Sequence, residues 1–145
     1  MREIRFRAWD EELQVMSNPF TLGDLQNHED FTFNTPDGEA CCGYNEFGLD
    51  NPKHILEQYT GLKDKNGVEI YEGDICSIIK VGIVDMDDPN PYRRIIKWNN
   101  RKGGFDHFRI DGKEGGSGWS FLQSTVEKYY EVIGDIHQHP ELLEA

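Results

Sequence analysis

At 145 residues and 37% apolar, the chain has the size of one domain with its own core. No run of about 18 apolar residues occurs, which excludes a membrane-spanning helix. Its net charge of −12 disfavours nucleic acid as a general partner and favours basic ones.

The location of that charge says more than its size. Between Ala8 and Pro52 there is no Lys or Arg, while Asp10, Glu11, Glu12, Asp24, Glu29, Asp30, Asp37, Glu39, Glu46 and Asp50 all fall in this stretch. The remainder is close to balance, with 17 acids and 15 bases. Of the three cysteines, Cys41 and Cys42 are adjacent and Cys76 stands alone. An odd count with a vicinal pair is a poor disulfide framework, so reduced thiols are expected. The opening residues are charged and alternating and lack the apolar stretch of a secretory signal, which points to the cytoplasm.

In chain order, Ile4, Phe6 and Ala8 alternate with Arg5, Arg7 and Trp9, the period of a half-buried strand. Asp10-Glu11-Glu12 turns, and Leu13 to Met16 returns, so residues 2–16 read as a hairpin. From Ser17 to Pro52 the pattern breaks into an acidic, irregular insertion. A short helix over Thr21–Asn27 and a brief strand over Phe31–Phe33 are the exceptions. Ile55–Thr60 reads as a strand, with Gly61 opening a turn. Asp64-Lys65-Asn66-Gly67 is a tight reversal, because Asn and Gly both tolerate positive φ. Val68–Tyr71 follows as a strand, Glu72-Gly73-Asp74 turns, and Ile75–Val84 makes a long apolar strand with a bend at Gly82.

Asp85–Pro91 is an acidic loop. Arg93–Trp98 and Phe105–Ile110 pair across the reversal Asn99–Gly104, and Gly112–Gly118 is a flexible loop. Ser124 to Glu127 fits a capping box that starts a short helix. Tyr130–Ile136 is a last strand, and Pro140 opens one closing helical turn at His139–Leu143. The sum is a mainly β single domain over residues 1–145. About eight short strands and one or two short helices suggest a small, partly open antiparallel barrel or sandwich.

Three stretches together resemble the YopX family of phage and prophage proteins. They are Arg2-Glu3-Ile4-Arg5-Phe6-Arg7-Ala8-Trp9-Asp10, then Gln58 to Gly67 continuing through Glu69 to Ile75, then Glu131 to Ile136 ending in Pro140-Glu141-Leu142-Leu143. The order and placement match the family's, so the resemblance frames the whole chain. It implies a mostly β, phage-borne protein of the bacterial cytoplasm without an assigned activity, and it brings no catalytic residues.

The remaining patterns argue against chemistry. Among His28, His54, His107, His137 and His139 there is no HExxH spacing, and no CxxC exists, so no metal site is expected. Asp85 to Asn90 fails as a calcium loop, because Pro89 takes a ligand position and Asn90 replaces the turn glycine. No serine sits in a GxSxG setting, and no glycine run has a phosphate-binding lysine. The sequence therefore reads as a non-enzyme that needs no cofactor.

Two interaction surfaces remain. Asp24, Glu29, Asp30, Asp37 and Glu39 form an acidic surface suited to a basic host or phage protein. Alternatively, Arg93, Arg94, Lys97, Arg101 and Lys102, interleaved with Tyr92, Trp98 and Phe105, could track a nucleic-acid backbone and stack bases. An open strand edge at Ile4–Ala8 would also allow pairing between copies.

Overall fold

In the computed structural model, which describes residues 3–26, 54–79, 85–115 and 121–144, the alternating opening forms β1 (Arg5–Asp10) and returns as β2 (Val15–Met16). Asp10 fixes the turn: its Oδ1 accepts the N–H groups of Glu12 and Leu13, each at 2.9 Å. Ser17 closes the hairpin, donating N–H to Ala8 O at 2.8 Å and accepting the Ala8 N–H on its hydroxyl at 2.8 Å. β3 (Phe20–Thr21) pairs with the start of β1, where Phe6 and Phe20 are register partners with ring centroids 6.2 Å apart. A short helix α1 (Leu22–Gln26) follows. The strand expected over Phe31–Phe33 lies outside the described residues.

Among the described residues there are nine strands in two antiparallel sheets, one curled into a half-barrel, with two short helices. Packing divides the chain into two compact units, Met1–Tyr59 and Thr60–Ala145. In the first, β1 pairs with β2 and β3 along one side and with β4 (His54–Lys63) along the other. The edge expected at Ile4–Ala8 is therefore occupied from Arg5 onward. Two polar side-chain pairs sit directly opposite in this register, Arg7 with Glu57 at 2.9 Å and His54 with Asp10 at 3.1 Å.

Gly61 does not end β4. The strand continues to Lys63, because Gly61 takes φ +86°, which lets the chain bend and stay paired. Thr60 Oγ1 donates to Ile70 O at 2.8 Å and accepts from Leu62 N at 3.2 Å. β5 (Glu69–Tyr71) then leads to β6 (Asp74–Ile78), which covers the first part of the expected Ile75–Val84. Ile79 lies in a bend, and residues 80–84, with the proposed kink at Gly82, are outside the described residues.

β7 (Arg93–Asn99) and β8 (Gly104–Phe108) form the expected hairpin, and β9 (Tyr130–Asp135) completes a sheet of order β8-β7-β6-β9. α2 (Gln123–Tyr129) begins one residue before the expected capping serine, with Leu122 at its N-cap and no side-chain cap. Thr125 and Val126 donate to Leu122 O instead, and Val126 is fully buried. Burial of that valine outweighs the local capping preference. The core of this unit is Ile70, Cys76, Ile78, Ile96, Val126 and Tyr130. A closing 3-10 helix (Pro140–Leu143) has Pro140 at its first position, and Arg93 Nη1 donates to Leu142 O at 3.2 Å near its end.

The second and third family-like stretches meet through one carboxylate. Asp64 is buried. Its Oδ1 accepts Asn66 N at 2.8 Å and Val68 N at 2.9 Å, and its Oδ2 accepts Val132 N of β9 at 2.9 Å. Asp64 N also donates to Val68 O at 2.8 Å, closing a three-residue loop in which Gly67 alone takes the positive φ, +82°. Lys65 N donates to Tyr130 O at 2.9 Å, so the outer edge of β9 is covered by this loop.

One further hydrogen bond and the strand register join the same stretches. Gly73 O accepts Ile136 N at 2.9 Å, and Asp74 is the register partner of Asp135. Gly134 is required by its surroundings, since a Cβ there would lie 2.7 Å from Cγ and Nδ1 of His139.

Removing the Asp64 carboxylate leaves three backbone donors without an acceptor, at about 1–3 kcal/mol for each that stays dry. Asp64→Ala is expected to lose roughly 3 kcal/mol or more of unfolding free energy in urea, and Asp64→Asn, which keeps one acceptor oxygen, a smaller amount. A loss below about 0.5 kcal/mol for the alanine variant would contradict this role. Gly134→Ala is expected to cost about 1–3 kcal/mol through the collision with His139, read in the same melts.

Candidate functional site

The basic hairpin is the sequence-derived site that the described residues cover most fully. Strand alternation on β7 puts Arg94, Ile96 and Trp98 on one face and Arg93, Ile95 and Lys97 on the other. Arg94 is buried, donating from Nη2 to Asp88 Oδ2 at 2.8 Å and from Nη1 to Asn90 O and Arg93 O. Arg93 is held on the carbonyls of Leu142 and Glu144. Arg101 meets Glu114 in a two-pronged pair at 2.9 and 2.7 Å, and Lys102 meets Asp106 at 2.9 Å. Lys97 is exposed. Trp98 is 44% exposed and packs edge-on against Phe105 at 5.2 Å.

Most cations of this region are thus met by carboxylates or carbonyls of neighbouring turns. Arg109, just beyond β8, extends the network. It is buried and donates to Asp87 Oδ1 at 3.1 Å, to Asp87 O at 2.8 Å and to Asp111 Oδ2 at 2.6 Å. Lys113 Nζ reaches Asp87 Oδ2 at 3.2 Å. The loop that superficially resembles a calcium loop is therefore an arginine clasp: Asp87 and Asp88 bind guanidinium groups. Among the described residues no group of His, Cys, Asp and Glu is arranged to hold a metal ion. Arg109 is absent from the sequence-derived set. Its signal is alternation with Phe105 and His107, which sends a cation toward the core face, where it needs anions.

The ion pairs hold their carboxylates ionised. The Arg101 guanidinium, followed by the Asn99 amide, brings Glu114 down to about 2. Arg109 and then Lys113 hold Asp87 below the usual carboxylate range. Burial opposes ionisation of Asp106, yet Lys102, the His107 N–H and Asn99 outweigh it and keep its carboxyl low.

Behind the network lies a buried polar contact, Tyr130 Oη with His107 Nδ1 at 3.1 Å. Burial, with Cys76 nearby, pushes the phenol upward, so it stays protonated. Burial, then Asp74 and Asp64, pushes the Cys76 thiol up. A thiol so disfavoured as thiolate is a poor nucleophile. Cys76 and Tyr130 belong to the core of this unit, and His107 is buried against Tyr130.

Of the acidic surface, only Asp24 is described. Its Oδ2 accepts Thr21 N at 2.8 Å while Thr21 Oγ1 accepts Asp24 N at 3.2 Å, a reciprocal cap at the start of α1. Glu29, Asp30, Asp37 and Glu39 lie outside the described residues.

The depressed pKa values set an acid limit. A carboxylate lowered on folding adds stability above its unfolded value and loses it as pH falls through the folded one. For Glu114 that window runs from 4.5 down to about 2. NMR titration should find the Glu114 carboxyl changing near the bottom of the window, and Glu114→Gln should flatten the corresponding decline of melting temperature. A Glu114 that titrates near 4.5 would show that the Arg101 pair does not persist in solution.

The chain is similar to protein EF1440 from Enterococcus faecalis, whose crystal structure superposes with a TM-score of 0.61 at 29% identity, covering 99% of this chain and 100% of that one. No curated protein matches. The family model described as YopX protein matches residues 5–144, and the chain belongs to the YopX family.

Proposed function

We propose that this YopX-family chain is a non-catalytic interaction protein of a phage or prophage, acting in the bacterial cytoplasm through an acidic surface on a basic protein partner. The observation that carries the reading is the imbalance between Ala8 and Pro52, ten carboxylates without one Lys or Arg. The hairpin supports it from the other side. Arg94, Arg101, Lys102 and Arg109 already face carboxylates of their own chain, which leaves little cationic surface for phosphates. The buried Asp64, Asp74 and Asp135 accept backbone N–H groups, which favours a structural role for these carboxylates over a catalytic one.

Asp24 contributes least to such a surface, because its carboxylate caps α1. Glu29, Asp30, Asp37 and Glu39 are the better contacts. A second reading keeps nucleic acid as the ligand of Lys97, Trp98, Arg101 and Lys102. It rests on the exposed indole of Trp98 beside exposed Lys97.

Affinity capture from host lysate, with nuclease and at two salt concentrations, separates the readings. A protein that co-purifies despite nuclease should be weakened about tenfold or more by neutralising Glu29, Asp30, Asp37 and Glu39 to their amides, since each exposed pair contributes about 0.2–1 kcal/mol. The same neutralised protein should keep the wild-type melting temperature. Undiminished capture by the neutralised protein would refute the acidic surface. Salt-sensitive binding of single-stranded nucleic acid that Trp98→Ala abolishes would favour the second reading.

A further inference from the structure

The loop that Asp64 organises carries the only Asn-Gly pair in the chain, Asn66-Gly67. Both residues are exposed, and nothing lies within 4 Å of the place a Cβ on Gly67 would occupy. We infer that Asn66 is a site of spontaneous deamidation, and that its isoaspartate product releases the Asp64 hub.

The chemistry needs only water. The Gly67 backbone nitrogen attacks Asn66 Cγ, an approach that a residue without a Cβ leaves unhindered. The N–Cγ bond forms, the Cγ–Nδ2 bond breaks, and ammonia leaves with the proton from the Gly67 nitrogen. Water then opens the cyclic imide at one of its two carbonyls. Opening at Cγ gives an ordinary aspartate. Opening at the main-chain carbonyl gives isoaspartate, with the chain routed through the side-chain carbons. Asparagine is among the thermolabile residues for this kind of reason.

The two products differ in consequence because of the geometry around Asp64. Asn66 N and Val68 N converge on Asp64 Oδ1 at 2.8 and 2.9 Å, and Gly67 N donates to Asp64 O at 3.0 Å. The ordinary aspartate keeps the main chain and these bonds. Isoaspartate adds a methylene to the main chain inside the loop, so the three donors can no longer reach Asp64 together. The carboxylate that also accepts Val132 N is then displaced, and the edge of β9 opens.

The test is ageing of the folded protein at neutral pH and physiological temperature, followed by peptide mapping and isoaspartate detection. The Asn66 peptide should convert faster than those carrying Asn18, Asn99 or Asn100, with isoaspartate as a product. The isoaspartate fraction should unfold at lower urea, whereas Asn66→Asp should stay near the unaged midpoint. Asn66→Gln should remove the conversion without disturbing the fold. An Asn66 peptide that ages no faster than the others, or an isoaspartate fraction with the unaged midpoint, would overturn the inference.

Discussion

The carboxylate of Asp64 is the constraint on which the second unit depends. A buried carboxylate is costly unless its oxygens are met by donors, and Asp64 meets three backbone N–H groups from two parts of the chain. Asn66 and Val68 set the loop, and Val132 ties that loop to a strand 68 residues away in sequence. The core of Ile70, Cys76, Ile78, Ile96, Val126 and Tyr130 is assembled from segments that this tie helps to hold in register. Asp74 and Asp135 serve the neighbouring turns in the same way, accepting Tyr71 N and the N–H groups of His137 and Gln138. All three aspartates are internal acceptors for turns.

The stretches that resemble the family's have clear structural roles in this fold. Their glycines permit turns and close approaches, Ile70 and Ile75 are fully buried, and Asp64, Asp74 and Asp135 satisfy backbone donors. Gly134 shows the principle at its tightest, with the His139 ring standing where a side chain would have to go. The same economy of polar groups governs the β7–β8 hairpin. The buried Arg94 and Arg109 require acids, which the adjoining loop provides as Asp88 and Asp87, while Arg101 and Lys102 of the reversal meet Glu114 and, on β8, Asp106.

Much of the fold is legible from period and punctuation alone. The opening hairpin, the Asp64–Gly67 reversal, the β7–β8 hairpin and the closing helical turn follow from alternation, glycine and proline. Three features follow from tertiary context instead. Gly61 bends β4 without ending it, α2 takes Leu122 rather than Ser124 as its N-cap so that Val126 can be buried, and β1 is paired on both sides rather than left as an edge. Each depends on a partner distant in sequence, which a local pattern cannot register. The site is less legible. Composition marks Arg94 and Arg101 as surface cations for a ligand, whereas their ligands are Asp88 and Glu114 of the same chain.

Native-state hydrogen exchange of the Val132 amide tests the central tie most directly, because that N–H has Asp64 Oδ2 as its acceptor at 2.9 Å. Slow exchange, at a rate set by opening of the whole unit and shared with the amides of Asn66 and Val68, is the expected result. Exchange of Val132 at the rate of an unprotected amide would contradict it, and would mean that the loop and β9 hold their places without Asp64.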